Sequence, residues 1–404
     1  MEYVFIESGG VTSPKGFVAS GIGAGIKTYG AEPRLDVGLL ASTVPSAVAG
    51  VFTKNQVCGA PVELCRARVE GGRARAVVVN SGCSNVAMGE RGRKDARKMA
   101  ALAAAHLGIP EDEMLVASTG VIGRPLPLEA IERGITGMQP TENGGDDFSR
   151  AIMTTDTVAK ARAARVTVGG ITYTVGGTAK GSGMVHPDMA TVLCFMTTDA
   201  PVDPEWLRTT LRSVADVSLN MVDVDMDTST SDTMLIFANG AAGGTAIGQG
   251  HAAEVPLYRA IEAVAIELAK DLARDGEGAK TLIEVRVEGA RSLEDARLAA
   301  RAVTSSPLVK TMVTGRDPNL GRVMMAIGRS GARVDVDRTS VFIGDACAFE
   351  RGAPTSIPYA DIKRKMDSKD VLIRVDLGLG DGAATAWGCD LTEEYIHING
   401  SYTT

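Results

Sequence analysis

The chain has 404 residues, of which 45% are hydrophobic and 23% charged, with 42 basic against 49 acidic side chains and a formal net charge of −7. This apolar content suffices for one large or two smaller packed domains and is too high for a disordered chain. No run of about eighteen apolar residues occurs, and an acidic surface repels phosphate backbones, so membrane spans and nucleic-acid binding are both disfavoured.

The first ninety residues are typical of short β-strands separated by glycine-rich turns. β-Branched residues bounded by turn formers indicate strands, and they occur in GFVASGIGAGIKTYG, LDVGLLAS, AVAGVFT, PVELCRARV and ARAVVVNSG. The alanine-rich residues 94–107 then predict a helix that stops at Gly108. The small-residue segment ASTGVIGRPL that follows is interpreted as a loop.

The middle of the chain predicts a buried strand followed by two helices. The apolar residues 191–196 indicate the strand. Asp203 followed by Pro204 is a favourable helix start. Apolar residues recur at helical spacing over 257–272 and predict a second helix, which Gly276 closes.

A change of pattern near residue 280 indicates a domain boundary. Beyond it, Ser292 followed three residues later by Asp295 is typical of a helix N-terminus. Strands are predicted in TLIEVRVEG, ARVDVD, SVFIGD, VLIRVDL, ATAWGCDL and EYIHING. We therefore expect a first domain of residues 1–280 and a smaller α/β domain of residues 281–404.

Two motifs of the chain have a simpler structural interpretation. The segment GLGDGA matches a dinucleotide fingerprint, but strand-like sequence follows it, so a tight hairpin turn is predicted. The aspartates Asp223, Asp225, Asp227 and Asp232 lack the spacing of a calcium loop. A hydrogen-bonded turn network is favoured over a metal site there.

Histidines and cysteines give little sign of a site. His186 is a candidate general base without an evident partner, and a turn before Pro187 is the simpler interpretation. The six cysteines contain no C-x-x-C pair and the four histidines no H-x-x-x-H, so no metal is predicted. Glu2 and Glu7 stand where a secretory signal needs basic residues, so we expect a cytoplasmic protein with reduced cysteines.

Nine sequence blocks, in order and nearly end to end, resemble the ornithine acetyltransferase family, also called ArgJ, whose members are glutamate N-acetyltransferases of arginine biosynthesis. The blocks are GFVASGIGAGIKTYG, VFTKNQVCGAPV, VVNSG, ASTGVIGRPLP, MTTDTVAK, KGSGMVHPDMATVLCFMTTDA, DGEGAKTLIEV, GRDPNLGR and YIHINGSYTT. The resemblance implies an α+β fold, a layered α/β/β/α-type sandwich that carries the catalytic cleft, with a smaller C-terminal α/β domain whose tail returns to that cleft.

The family resemblance also implies that the chain cleaves itself between Ala190 and Thr191. An α chain of residues 1–190 and a β chain of residues 191–404 would then assemble as an α2β2 heterotetramer. The new α-amino group, with a reference pKa of about 7.7 to 8.0, serves as the base for the weakly acidic Thr191 hydroxyl. Without the resemblance, Thr191 is simply a small β-branched residue that opens a buried strand.

In the implied reaction, N-acetylornithine acetylates Thr191, ornithine leaves and glutamate accepts the acetyl group in a ping-pong exchange. Thr119 and Gly120 match the family's oxyanion hole, although STG by itself reads as a turn. The matching substrate-binding positions are Thr157, Lys180, Thr191, Glu277, Asn399 and Thr404. Neither a metal nor a cofactor is implied, and acetyl-CoA is a possible second acetyl donor.

Two other functions stay open from the sequence. One is a hydrolase of the related self-cleaving aminopeptidase type, in which water resolves the acyl enzyme. The other is an amino-acid-binding protein that never cleaves. Departures from the family pattern at Cys83, Ser84, Ser231 and Leu320 leave the nucleophile and oxyanion positions intact and bear on acyl-donor preference.

Overall fold

The structure is a computed structural model that describes residues 3–27, 34–186 and 192–401. Strands predominate in the part before residue 187. Its elements are β1 (Val4–Phe5), β2 (Phe17–Ile22), β3 (Val37–Ser42), β4 (Ala47–Phe52), α1 (Ala60–Val69), β5 (Ala76–Cys83), α2 (Gly89–Leu107), β6 (Met114–Val121), α3 (Leu128–Gly137), α4 (Gly145–Ala151), β7 (Lys160–Val168) and β8 (Ile171–Lys180).

Helices are more frequent in the described part after residue 191. Its elements are β9 (Leu193–Thr198), α5 (Pro204–Val217), β10 (Val222–Asp223), β11 (Thr233–Ala238), α6 (Glu254–Arg274), β12 (Leu282–Ala290), α7 (Leu293–Thr304), α8 (Pro307–Thr314), α9 (Gly321–Gly328), β13 (Ser340–Ile343), β14 (Ala346–Glu350), β15 (Ala353–Pro354), α10 (Tyr359–Met366), β16 (Asp370–Asp376), β17 (Gly382–Cys389) and α11 (Glu393–Ser401).

The described strands form three sheets. The N-terminal sheet has the order β2-β3-β5-β6, the central sheet β1-β7-β8-β9-β11-β4, and the C-terminal sheet β10-β17-β12-β16-β13-β14-β15. In the central sheet, β9 runs antiparallel to β8, with Leu193 opposite Lys180, and parallel to β11, with Leu193 opposite Thr233. Lys180, Leu193 and Thr233 therefore lie side by side across the sheet, and Leu193 begins the strand that follows residue 191.

Both faces of the central sheet are buried, and its residues alternate between two cores. Leu193 and Phe195 face a core shared with the N-terminal sheet, whereas Cys194 and Met196 face a core shared with α5 and α6. Side chains of a strand alternate between its faces, so such a strand is apolar throughout. The expected layered α+β arrangement of sheets and helices is confirmed.

The second core continues without a break into the C-terminal sheet. It contains Met234 of the central sheet, Leu268 of α6 and Ile283 of β12. The short strand β10, which precedes residue 280, pairs in parallel with β17 and so belongs to the C-terminal sheet. The regions before and after residue 280 therefore contribute strands to the same sheet and side chains to the same core.

Two predicted strands are helices, and a third, ARVDVD, is a loop that leads into a short 3-10 helix at Val336–Arg338. The segment PVELCRARV lies in α1, where Pro61 occupies the first turn and Val62 and Cys65 are buried on one side. Proline needs no backbone partner in a first helical turn, and spacing of three places both apolar residues on one face. The segment EYIHING lies in α11, whose first turn carries Glu393 and Glu394, the charge that a helix N-terminus favours.

The predicted hairpin at GLGDGA and the predicted loop at ASTGV are also wrong. β16 and β17 do not pair with each other, because β12 lies between them. The glycine-rich segment that joins β16 to β17 instead crosses the end of β12. A Cβ on Gly382 would there come within 2.3 Å of the Ser292 carbonyl oxygen. The residues ASTGV continue β6 in register with β5, a pairing that no local pattern reveals.

The two predicted helix starts are confirmed. The Asp203 side chain accepts hydrogen bonds from the backbone N–H groups of Glu205 and Trp206 at the start of α5. The Ser292 side chain accepts one from Asp295 at the start of α7. Among the described helices, none combines the length and apolar character needed to cross a membrane.

Candidate functional site

A cavity of about 350 Å³ lies where β6 and β8 end and β9 begins. Five residues singled out from the sequence line it, although they are far apart in the chain: Thr119, Gly120, Lys180, Glu277 and Asn399. Val192, which directly follows Thr191 in the chain, lines it as well. Ala190, Thr191 and Thr404 lie outside the described residues.

Thr119 and Gly120 occupy the end of β6, where its pairing with β5 is irregular. Gly120 has a φ of +121°, and a Cβ there would come within 2.4 Å of the Gly82 carbonyl carbon. Only glycine tolerates both the backbone angle and the close approach. The Thr119 hydroxyl, on the neighbouring residue, accepts a hydrogen bond from the Lys180 Nζ at 3.4 Å.

Lys180 is a buried cation in the cavity wall. Its Nζ donates a hydrogen bond to the Thr154 Oγ1 at 2.7 Å. Burial lowers the pKa of its ammonium group, and the nearby Asp156 carboxylate opposes that shift. A cation held by hydroxyl groups at the edge of a cavity can pair with the carboxylate of an amino acid.

Beneath Lys180 lies a buried ion-pair network that was not predicted from the sequence. The Lys160 Nζ lies 2.6 Å from an Asp156 carboxylate oxygen and 2.5 Å from one of Asp275. Burial alone would raise the pKa of Asp156, but Lys160, Lys180 and a hydrogen bond from the Gly181 N–H hold it well below its usual range. Asp156 therefore fixes the backbone that follows Lys180.

Glu277 and Asn399 contact each other in the cavity wall. The Asn399 Nδ2 donates a hydrogen bond to the Glu277 Oε2 at 2.7 Å, which ties the C-terminal helix α11 to this wall. The Glu277 N–H donates to the Ser182 carbonyl at 2.7 Å. A Cβ on Gly183 would lie 2.4 Å from the Glu277 carboxyl, so the glycine makes room for that group.

Thr157 lies outside this cavity. It is exposed, and both its N–H and its hydroxyl donate hydrogen bonds to the Asp275 carboxylate. It lines an adjoining groove of about 1340 Å³, into which Glu277 also faces. Its neighbours Thr154 and Thr155 line the cavity instead.

Residues 184–186, which precede the undescribed stretch 187–191, are held by the aspartate-rich segment. The Asp225 carboxylate accepts hydrogen bonds from the N–H groups of Met184 at 2.6 Å and Val185 at 2.9 Å. The Val224 N–H donates to the Val185 carbonyl at 2.7 Å. The predicted hydrogen-bonded turn network is thus confirmed, and it holds the backbone of Met184 and Val185.

His186 has partners that the sequence did not reveal. Its Nδ1 lies 2.7 Å from the Asp223 carboxylate and its Nε2 lies 2.9 Å from an Arg301 nitrogen. Because arginine can only donate, this pattern fits the tautomer with hydrogen on Nδ1. The Thr228 hydroxyl donates to the His186 carbonyl at 3.0 Å, and Lys310 pairs with Asp223 at 3.0 Å.

The polar segment Ser229–Ser231 and Asp232 also line the cavity. The sequence pattern placed Asp232 in the aspartate cluster and gave no sign that it lies in the cavity wall. Ser84 and Ser231, two departures from the family pattern, also line the cavity. No group of three or more His, Cys, Asp or Glu side chains in the described ranges is arranged to hold a metal ion.

Comparisons with known proteins agree with this geometry. A model described as the ArgJ family matches residues 18–404. The chain is 53% identical to the arginine biosynthesis bifunctional protein ArgJ of Symbiobacterium thermophilum, with 98% of this chain and 99% of that protein covered. It is 41% identical to the protein of the same name from Bacillus subtilis, with 98% and 97% covered.

One solved structure is also similar. The crystal structure of the arginine biosynthesis bifunctional protein argJ from Bacillus halodurans is 37% identical to this chain and has a TM-score of 0.50. The match covers 51% of this chain and 97% of that chain.

Proposed function

The chain belongs to the ArgJ family and is an arginine-biosynthesis acetyltransferase, and we propose that it transfers acetyl from N-acetylornithine to glutamate through an acetyl-Thr191 intermediate. One observation carries the site assignment. Thr119, Gly120, Lys180 and Glu277 converge on a single cavity that Val192, the neighbour of Thr191, also lines.

Thr191 becomes competent when the Ala190–Thr191 bond is cleaved. A threonine hydroxyl is a weak nucleophile, whereas a free α-amino group has a pKa of about 7.7 to 8.0 and accepts its proton near neutral pH. The cleaved chain therefore carries its own base. The Bacillus halodurans chain, about half as long as this one, has the length expected of one such fragment and supports cleavage.

The two chains remain together after cleavage because they share a sheet and a site. β8 lies before the cleavage point and pairs with β9, which lies after it. Thr119 and Lys180 belong to the α chain of residues 1–190, whereas Glu277 and Asn399 belong to the β chain of residues 191–404. Assembly of two such pairs into an α2β2 heterotetramer in the cytoplasm completes the proposal.

Each wall of the cavity has a role in this scheme. The Thr119 hydroxyl and the Gly120 N–H stabilise the negative oxygen of the tetrahedral intermediates. Lys180 pairs with the substrate α-carboxylate, and Glu277, oriented by Asn399, pairs with the ammonium group of ornithine. Thr157 in the adjoining groove and Thr404 at the C-terminus are the further binding positions. The scheme uses side chains and substrates alone, with acetyl-CoA as the second acetyl donor.

The test is an assay of the purified protein and its Thr191→Ala variant. We expect two fragments, one of which begins TVLCF, and formation of acetylglutamate from glutamate with either N-acetylornithine or acetyl-CoA. The variant should stay a single 42.0 kDa chain without transfer activity. Transfer by this variant would overturn the assignment, free acetate in place of acetylglutamate would indicate the hydrolase, and a wild-type chain that stays intact would indicate the binding protein.

A further inference from the structure

Asp232 is a buried carboxyl group in the cavity wall to which the proposed reaction gives no role. It is 2% exposed and lines the cavity beside Ser229 and Lys180. The Ser229 side chain hydrogen-bonds to its carboxyl group. Its Oδ2 is fully buried and has no hydrogen-bond partner within the described parts of the chain. A buried oxygen in that state costs about 1 to 3 kcal/mol, so it calls for a partner or a function.

The strand register places Asp232 next to the cleavage point. The Thr233 N–H donates to the Val192 carbonyl at 3.0 Å, and Thr233 lies opposite Leu193. One residue back along both parallel strands, Asp232 flanks Val192. Residue 191 is bonded to Val192, and consecutive Cα atoms are about 3.8 Å apart. We therefore expect the nitrogen of Thr191 to be within reach of this corner of the cavity.

Burial favours the neutral, protonated form of the Asp232 carboxyl group. Burial raises its pKa well above the usual range, and the opposing effects of the Ser229 hydrogen bond and the Lys180 charge are smaller. Lys180 and Glu277 are the other charged groups that line the cavity among the described residues. A protonated carboxyl group can donate a proton from one oxygen, as a general acid must, and can accept another proton at its second oxygen.

We propose that Asp232 is the general acid of self-cleavage and delivers a proton to the nitrogen of Thr191. This inference rests on the proposed cleavage. As the Thr191 Oγ1 attacks the Ala190 carbonyl carbon, the C–O bond forms and the C–N bond breaks. One carboxyl oxygen of Asp232 gives its proton to the departing nitrogen, and the other takes the proton that Oγ1 releases. Water then hydrolyses the ester, which leaves Asp232 protonated and Thr191 with a free amine.

Asp232→Asn tests the proposal, because it preserves size and polarity but removes the transferable proton. Cleavage is followed by intact mass during timed cell-free synthesis. We expect the half-time of Asp232→Asn to be at least 100-fold longer than that of the wild-type chain, in line with the usual contribution of about 10² to 10⁴ from a general acid. The matched control is Asp199→Asn. Asp199 is also a buried aspartate with a raised pKa, but it lies just beyond the far end of β9, and its variant should cleave at the wild-type rate.

Asp232→Glu separates acid catalysis from packing. Glutamate is too large for a packed site but can transfer a proton, so an acid role requires Asp232→Glu to cleave faster than Asp232→Asn, whereas a packing role requires the reverse order. The reverse order, or an Asp232→Asn rate within tenfold of wild type, would overturn the inference. If the wild-type chain and Asp199→Asn also fail to cleave, the proposed function itself is wrong.

Discussion

Replacing Lys160 by methionine should destabilise the protein strongly, because it leaves two buried carboxylates without the cation that pairs with them. Lys160 is 2% exposed, and its Nζ contacts Asp156 at 2.6 Å and Asp275 at 2.5 Å. Loss of one partner of a buried ion pair typically costs about 3 to 5 kcal/mol. Both carboxylates keep backbone N–H donors, from Gly181 and Thr157. We therefore expect a loss of stability at the lower end of this range, about 3 kcal/mol, which is roughly a 150-fold change in the unfolding equilibrium.

The loss of stability caused by Lys160→Met should depend on pH. In the wild-type protein the folded-state pKa of Asp156 lies below the unfolded value of about 3.9, so its stabilising contribution is complete above that pH and disappears only in stronger acid. Without Lys160, burial is opposed only by Lys180 and the Gly181 hydrogen bond, and we expect the pKa of Asp156 to rise above the unfolded value. The variant then gains a proton on folding, and its stability falls as pH rises from 4 to 7. The difference from wild type should be largest at neutral pH and shrink towards pH 4.

Urea unfolding of both proteins at pH 7 and pH 4.5 measures this difference. The matched control is Arg162→Met on the same strand, since Arg162 pairs with Asp271 at 2.8 Å but is 42% exposed. That change should cost less than about 1 kcal/mol. A Lys160→Met loss below about 1 kcal/mol at pH 7, or one that is equal at both pH values, would refute the reasoning.

Three further predictions concern the cavity. Thr119→Ala should lower kcat about 100- to 1000-fold in steady-state assays with little change in KM, whereas Thr136→Ala, which removes an exposed helical hydroxyl, should leave both unchanged. Gly120→Ala should yield a destabilised, uncleaved chain by thermal unfolding and intact mass, because its Cβ would collide with Gly82. Because burial lowers the pKa of Lys180, the KM for glutamate should rise from pH 7 to pH 10 as this cation loses its proton.

Contrary results would each point to a specific error. A Thr119→Ala enzyme that keeps its kcat but loses affinity would make Thr119 a binding residue. An active, stable Gly120→Ala enzyme would mean that the strands β5 and β6 can separate at that point. A KM for glutamate that stays flat to pH 10 would remove Lys180 from carboxylate binding.

Local sequence patterns predicted elements well where one stretch contains all the determinants. The starts of α5 and α7 were predicted because Asp203 and Ser292 satisfy N–H groups two or three residues away. The pattern failed at EYIHING because alternating apolar residues do not distinguish a strand from a helix whose contacts are distant. Tyr395 donates to Asp225 and Asn399 to Glu277, so partners more than a hundred residues away tie this segment down as a helix.

The sequence by itself predicted which residues line the cavity, because Thr119, Gly120, Lys180 and Glu277 stand in recognisable blocks of fixed order. Only the tertiary structure decided what surrounds them. The packing of the N-terminal sheet against the central sheet brings Lys180 beside Thr119, and burial of Asp232 away from water raises the pKa of its carboxyl group. Burial and the approach of residues distant in the chain depend on how the whole chain packs, and no local pattern contains that information.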